Sequence, residues 1–252
     1  MGHIVIGLIV GMVMGLTGAG GALISIPLFI FMLDVSLKEA TVLSLIVVIF
    51  GTFVNLFGQK SKPDLKVVIS FVCFGTISNY LTYSLKDKIP DIYIASLLMI
   101  IGFYSVWSVW SSSDRKVKAL ATKYSIIKSA IIGTGLGVIT TFTGLGGGVL
   151  LIPILTNFYG KKYEESVPTS LMTIFFISFI AFCIQLKVGM KLIDLNELAK
   201  LGLGTLMSYL ILRWSLKSIN PVKVELSRKL VFTAITIFSI TSVVIKTLKG
   251  SI

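Results

Sequence analysis

Apolar runs long enough to cross a lipid bilayer recur along the whole chain. A helix needs about 20 apolar residues to span a hydrocarbon core of about 30 Å. Because backbone groups cannot be solvated in hydrocarbon, continuous runs of this length are expected to be helical, whereas a β-barrel would show short alternating segments. The segments are Ile4–Leu33, Ala40–Gly58, Leu65–Leu85, Ile92–Trp110, Tyr124–Phe158, Ser166–Leu186, Leu195–Leu212 and Leu230–Leu248. The sequence therefore predicts an all-α polytopic membrane protein.

The charged residues lie between these segments, where membrane proteins place them. The chain has 23 Lys and Arg against 11 Asp and Glu, and only 13% of its residues are charged. Basic residues in short connections are typical of loops at the inner leaflet. No basic face is interleaved with exposed aromatics, so we expect no nucleic acid as a partner.

The two halves of the chain repeat each other. A shift of 126 positions aligns residues 11–59 with residues 137–185, and 13 of the 49 pairs are identical. Duplicated halves are typical of secondary transporters. The sequence thus divides into a first repeat at residues 1–112, a basic linker at 113–123 and a second repeat at 124–252.

The first apolar segment of each repeat is too long for one straight crossing and carries glycines near its middle. Thirty helical residues, as in Ile4–Leu33, extend about 45 Å. Clustered glycines favour a break, since each costs about 1 kcal/mol relative to alanine inside a helix. The glycine motifs are Thr17-Gly18-Ala19-Gly20-Gly21 and Thr143-Gly144-Leu145-Gly146-Gly147-Gly148. Each repeat is therefore expected to hold a discontinuous or re-entrant helix followed by three transmembrane helices.

The distribution of Lys and Arg favours the re-entrant form. If the broken segments cross the membrane, the two sides carry 13 and 10 basic residues; if they return to their starting side, the numbers are 15 and 8. The positive-inside rule prefers the second arrangement. Three crossings per repeat would give the repeats opposite orientations, so the sequence predicts inverted repeats whose glycine turns meet near the midplane.

Helix N-termini at these glycine turns are candidate anion sites. The helices beginning near Gly21 and Gly147 would present unpaired N–H groups and about half a positive charge to the centre, so no basic side chain is required. The alternative is that small residues only permit close helix packing. The candidate substrate-binding residues are Thr17, Gly18, Gly20, Gly21, Ser44, Thr143, Gly144, Gly146, Gly147, Gly148 and Ser170. Glu39 and Glu165 are interpreted as helix-start charges.

The duplicated motif, Gly15-Leu16-Thr17-Gly18-Ala19-Gly20-Gly21 to Pro27 and Thr143-Gly144-Leu145-Gly146-Gly147-Gly148 to Pro153, resembles the TauE/SafE family of sulfite exporters. The resemblance covers nearly the full chain. It implies an inner-membrane permease for sulfite or organosulfonates, with the two glycine motifs as its substrate-binding positions. Ala22 stands where the second copy has Gly148, so equal roles for the two motifs are not implied.

These features predict a secondary transporter that exports a small sulfur oxyanion across the inner membrane. No phosphate-binding loop, metal-ligand cluster or nucleophile with a neighbouring base is evident, so we expect neither an enzyme nor a cofactor. A passive anion channel of the same fold is the alternative, because the glycine turns could form a selectivity filter. The expected partners are a small anion and the lipid bilayer, and a homodimer is left open.

Overall fold

The computed structural model describes residues 2–17, 21–59, 61–86, 88–111, 125–187, 195–215 and 221–249. Within these ranges the chain forms ten α-helices and no strand, which confirms the all-helical prediction. The predicted linker at 113–123 lies outside the described residues. The helices are α1 (Gly2–Thr17), α2 (Gly21–Leu33), α3 (Leu37–Phe57), α4 (Leu65–Lys86), α5 (Asp91–Ser111), α6 (Ile126–Thr143), α7 (Gly148–Tyr159), α8 (Tyr163–Lys187), α9 (Leu195–Ser215) and α10 (Pro221–Lys249).

Four of the described helices, α3, α4, α6 and α8, are long and apolar enough to cross a membrane. Shorter apolar stretches lie at Gly2–Val13, Leu23–Leu33, Asp91–Trp107 and Thr233–Lys246. Large apolar side chains also cover the outside of the bundle, among them Phe57, Ile69 and Ile131. Such a surface suits lipid and not water. The molecule is therefore built as a multi-pass membrane protein.

A capping box starts α3. The Glu39 N–H donates to Ser36 Oγ at 3.3 Å, and the Ser36 N–H donates to Glu39 Oε2 at 2.9 Å. These two bonds satisfy donors that a helix start would leave unpaired. The interpretation of Glu39 as a helix-start charge is confirmed, and Glu165 likewise lies in the first turn of α8.

Pro27 lies inside α2 and has no N–H to bond the Leu23 carbonyl one turn earlier. The Ser239 hydroxyl of α10 donates to that carbonyl at 2.6 Å. A side chain of the last helix therefore replaces the backbone bond that the proline removes and attaches α10 to α2.

Two helix pairs approach each other through glycines four residues apart. Gly7 and Gly11 of α1 lie against α9, and a Cβ placed on Gly7 would come 2.5 Å from the Leu201 carbonyl oxygen. Gly133 and Gly137, their counterparts under the 126-residue shift, lie against α4 in the same way. Close contact of small residues is a common basis of helix association in membranes.

The other helix pairs follow the repeat as well. Helix α2 packs on α3 as α7 packs on α8, α3 packs on α9 as α8 packs on α4, and α3 packs on α8 as α5 packs on α10. The shift converts the α2/α3 pair into α7/α8 and the α3/α9 pair into α8/α4. In the α3/α8 and α5/α10 pairs, each helix packs against its own counterpart from the other repeat. The two repeats therefore interlock through equivalent contacts.

In the α3/α8 and α5/α10 pairs, the two helices run antiparallel. Thr41, near the start of α3, and Gln185, near the end of α8, both accept a hydrogen bond from Lys86, whereas the ring of Phe53, near the end of α3, lies 5.7 Å from the ring of Phe175 at the middle of α8. In the second such pair, the Trp110 indole near the end of α5 donates to Thr233 Oγ1 at 2.9 Å, while Gly102 lies against Ile240 further along α10. Each helix thus points opposite to its counterpart.

The chain from α6 to α7 returns to the end of the bundle where α6 begins. Ser129, in the first turns of α6, is 2.7 Å from the hydroxyl of Tyr159, the last residue of α7. Two residues later, Lys161 Nζ is 2.6 Å from Oδ2 of Asp64, which precedes α4. The turn between α6 and α7 therefore lies at the far point of this excursion, inside the bundle.

Candidate functional site

Four residues, Gly144–Gly147, connect α6 to α7, and we call them the second tip. Gly144, Gly146 and Gly147 have φ angles of 65°, 64° and 68°. This left-handed region is costly for residues with a Cβ, so the conformation explains why three of the four are glycine. All four are buried.

Hydrogen bonds from both sides fix the second tip. The Thr143 hydroxyl donates to the Ile139 carbonyl at 2.6 Å and accepts the Leu145 N–H at 3.3 Å. From α3, the Ser44 hydroxyl reaches the Gly144 carbonyl at 3.0 Å as well as the Thr41 carbonyl of its own helix at 2.7 Å. Of the predicted binding residues, Ser44 and Thr143 thus contact the second tip directly.

The second tip is packed tightly between α3, α6 and α8. A Cβ on Gly146 would lie 2.6 Å from Ser178 Oγ and 2.7 Å from Ile174 Cγ2. A Cβ on Gly144 would overlap the Thr41 carbonyl oxygen, and one on Gly147 would lie 2.5 Å from Leu136 Cδ2. Glycine at these positions therefore permits both the left-handed backbone and the close approach of the surrounding helices.

The start of α7 has the features of an anion site. Its N-cap is Gly147, which has no side chain to bond the first N–H groups, and the N–H groups of Leu150 and Leu151 both bond to the Gly147 carbonyl. The unpaired donors and the helix dipole favour a negative charge at this position. Ser178 is fully buried beside Gly146, and its hydroxyl has no hydrogen-bond partner in the structure. A buried donor without an acceptor is costly, so the Ser178 hydroxyl is a candidate donor to a ligand oxygen.

Buried polar side chains extend along the helices that pack around the second tip. The Thr141 hydroxyl of α6 donates to Asn79 Oδ1 of α4 at 2.6 Å, and the Thr82 hydroxyl lies 3.2 Å from Thr141 Oγ1. The Asn79 amide also reaches the Ile177 carbonyl of α8 at 3.4 Å. Further buried polar residues on α3 and α8 are Thr41, Ser44, Thr52, Thr169, Ser170, Thr173, Ser178 and Gln185.

The structure describes less of the first glycine motif. Thr17 ends α1 and Gly21 begins α2, whereas the predicted binding residues Gly18 and Gly20 lie outside the described residues. Gly148 begins α7. Ser170 is buried on α8, and its hydroxyl has no partner in the structure.

A family model described as sulfite exporter TauE/SafE matches residues 3–242. The chain belongs to the TauE/SafE family. Together with the apolar helices, this match places it among multi-pass membrane transporters of the plasma membrane, and the resemblance predicted from the glycine motifs is confirmed.

A curated relative of this TauE/SafE chain is also described as a membrane transporter. A probable membrane transporter protein of Methanocaldococcus jannaschii is 24% identical over 165 residues, which is 60% of each chain. The alignment therefore spans about three fifths of that protein's length. No solved structure matches the chain.

Sequence reasoning missed a buried cation in this TauE/SafE protein. Lys86, the last residue of α4, is only 2% exposed, and its ammonium donates to Thr41 Oγ1 at 2.9 Å and to Gln185 Oε1 at 3.1 Å. The sequence places Lys86 at the end of an apolar segment, as a loop charge. The only signal in the sequence was a lysine at the end of an apolar segment. Such a lysine can point either into the protein or towards water, and the sequence does not distinguish the two. Ser178 was missed because hydroxyls on apolar helices commonly bond their own backbone.

Proposed function

We propose that this protein is a secondary transporter that exports a small sulfur oxyanion, sulfite or an organosulfonate, across the inner membrane. The two glycine turns hold the anion near the midplane, and the surrounding helices move around it in alternating access. An inside-negative potential favours this direction by about 2.3 kcal/mol per charge for each 100 mV.

The helix directions support inverted repeats. Helices α3 and α8 are counterparts and run antiparallel, as do α5 and α10. A two-fold axis that relates antiparallel counterparts is perpendicular to them. If α3 crosses the bilayer along its normal, that axis lies in the membrane plane, which is the symmetry of many secondary transporters.

The contacts of α7 support a re-entrant hairpin. Both ends of the segment from Ser129 to Tyr159 lie beside each other, at the end of the bundle where α4 begins. In the re-entrant arrangement this end faces the 15 basic residues, so the positive-inside rule makes it cytoplasmic. The second tip then enters from the cytoplasm, and the proposed inversion predicts that the first glycine motif enters from the opposite side.

The observation that carries the proposal is the unpartnered Ser178 hydroxyl beside the N-terminal end of α7. Two kinds of donor meet there without a protein acceptor: the first backbone N–H groups of the helix and a side-chain hydroxyl. An oxyanion offers several acceptor oxygens and can use both. Glycine allows its oxygens to approach the backbone closely.

The test is flux of radiolabelled sulfite and sulfonates into proteoliposomes, with the variant Ser178→Ala as the decisive comparison. Because this hydroxyl has no partner in the structure, its loss should leave the melting temperature unchanged or raise it. A hydrogen bond to a charged ligand is worth about 1.5–3 kcal/mol, so the KM should rise about tenfold or more.

A glycine pair supplies the steric control. Gly146→Ala would introduce a methyl group against Ser178 and should suppress flux, whereas Gly135 has open space around its Cβ position on α6, so Gly135→Ala should transport as the parent does. Saturable flux that depends on a counter-ion identifies a carrier; unsaturable flux would indicate a channel. Parental KM in folded Ser178→Ala and Gly146→Ala proteins would overturn anion binding at the second tip.

A further inference from the structure

Lys86 is a buried cation without an assigned function. At 2% exposure it is the most unusual charged residue of the described chain, since lysine is rarely buried away from water. Two of its hydrogen bonds go to neutral oxygens, Thr41 Oγ1 on α3 and Gln185 Oε1 on α8. A neutral acceptor binds an ammonium less strongly than an anionic oxygen does. An oxyanion would therefore compete with these two oxygens for the ammonium.

The same α3 turn connects Lys86 to the second tip. The Thr41 hydroxyl accepts a hydrogen bond from the Lys86 ammonium, and the Thr41 carbonyl oxygen lies where a Cβ of Gly144 would be. The single O–H of Ser44 is shared between the Thr41 and Gly144 carbonyls. One residue thus separates the cation from the glycine turn that is proposed to hold the anion.

The position of Lys86 along the bundle is also informative. Lys86 ends α4 and Gln185 lies near the end of α8, whereas the start of α4 is joined to the end of α7 through Asp64 and Lys161. With the α4 start on the cytoplasmic side, Lys86 lies between the second tip and the outer surface. An anion leaving the second tip outwards passes this ammonium.

The cation belongs to one repeat only. Thr41 corresponds to Val167 under the 126-residue shift. Phe71 and Gly75 of α4 contact α6 as Leu201 and Thr205 of α9 contact α1, so α4 and α9 are offset by 130 residues and Lys86 corresponds to Leu216. Neither counterpart is polar. Gln185 corresponds to Gln59, which follows α3 and whose side-chain amide donates to the Asn55 carbonyl of that helix at 3.3 Å. Helix packing in the duplicated scaffold does not require a lysine here, which argues for a role on one side of the membrane.

We propose that Lys86 binds the transported oxyanion on the outer side of the second tip and makes the protein prefer doubly charged over singly charged anions. In the structure its ammonium is held by Thr41 and Gln185; during export it leaves these oxygens and receives the anion. A cation in a water-poor site attracts a second negative charge far more strongly than bulk solvent would allow. This inference rests on the proposed anion transport.

The test compares Lys86→Met with Lys88→Met in proteoliposomes. Lys88 is exposed and lies two residues further along the same connection, so its variant loses the same formal charge. Labelled sulfite flux is measured against competing sulfate, a dianion, and methanesulfonate, a monoanion. Lys86→Met should raise the KM at least tenfold and reduce the preference for sulfate over methanesulfonate about tenfold. Lys88→Met should change both less than twofold.

Further variants separate binding from a structural role. Lys86→Gln can still donate to Thr41, so this variant should fold and should show the same loss of preference for sulfate. Lys86→Arg keeps the positive charge and should retain most of that preference. A purely structural lysine would lower the amount of folded protein or the maximal rate without changing the ratio of the two inhibition constants. An unchanged ratio in folded Lys86→Met and Lys86→Gln overturns the inference, whereas absence of saturable flux in the parent overturns the proposed function instead.

Discussion

Helices α3 and α8 occupy equivalent positions in the two repeats, but their matching serines have different contacts. Ser44 donates to the Gly144 carbonyl of the second tip at 3.0 Å. Ser170, its counterpart, is equally buried and has no hydrogen-bond partner in the structure. The same residue at the same register therefore stabilises the tip in one repeat and keeps an unused donor in the other.

The glycines differ much less between the repeats than the polar residues do. Gly7 and Gly133 pack their helices against α9 and α4 in the same manner. By contrast, the Gln185 side chain accepts from Lys86, while the Gln59 side chain donates to the Asn55 carbonyl of the preceding helix α3. The two copies thus share backbone packing and differ in the polar groups placed on it. This difference gives the two repeats different polar chemistry on the same packing.

The largest effect is expected at Gly144. Alanine there would adopt a left-handed conformation and overlap the Thr41 carbonyl, a backbone atom that cannot rotate away. Strain and overpacking together should cost about 2–5 kcal/mol in the free energy of unfolding. Thermal unfolding in detergent, compared with Gly135→Ala, measures the effect. The control should be neutral or stabilised by about 0.5–1 kcal/mol, because Gly135 is helical with open space around it. Equal stability of the two variants would show that the second tip tolerates a Cβ.

The paired serines give a smaller effect that tests the comparison directly. Ser44→Ala removes a bond to the Gly144 carbonyl and should destabilise the protein by about 0.5–1.5 kcal/mol. Ser170→Ala removes a hydroxyl without a partner, so its stability should remain within about 0.5 kcal/mol of the parent. The same unfolding assay serves both, and sulfite flux is then measured on each folded variant. A loss for Ser170→Ala as large as that for Ser44→Ala would mean that the repeats are more alike than these contacts indicate.

Most of the architecture could be predicted from the sequence, because apolar length and glycine clusters act locally. The helix ends at Thr17 and Thr143 and the restarts at Gly21 and Gly148 coincide with the predicted motifs. Ser44 was predicted because it is repeated as Ser170. Lys86 and Ser178 could not be predicted, because their significance depends on which helices surround them: a lysine at a helix end usually extends towards water. The partner of each polar side chain is a tertiary property that helical periodicity does not contain.

The smallest effect is expected from the ion pairs that end the two broken segments. Lys161, just after α7, pairs with Asp64 at 2.6 Å; Asp34, just after α2, pairs with Lys246 at 2.9 Å. Burial alone would raise the pKa of Asp64, but the hydrogen bond and charge of Lys161, with the N–H groups of Val67 and Lys66, lower it overall. The hydrogen bond and charge of Lys246 also lower the pKa of the exposed Asp34.

A lowered carboxylate pKa contributes stability above the unfolded value of 3.8, and this stability is lost as the pH falls through the folded value. Asp64→Asn should therefore reduce stability at pH 7 by about 0.2–1 kcal/mol, after allowance for solvent screening, and the difference should vanish near the acid limit. Asp34→Asn keeps a residue that tolerates the positive φ of 49° and should have a weaker effect, which salt removes. Melting curves from pH 7 down to pH 3, at low and high salt, measure both. A larger loss for Asp34→Asn than for Asp64→Asn would mean that the first broken segment, and not the second, depends more on its ion pair.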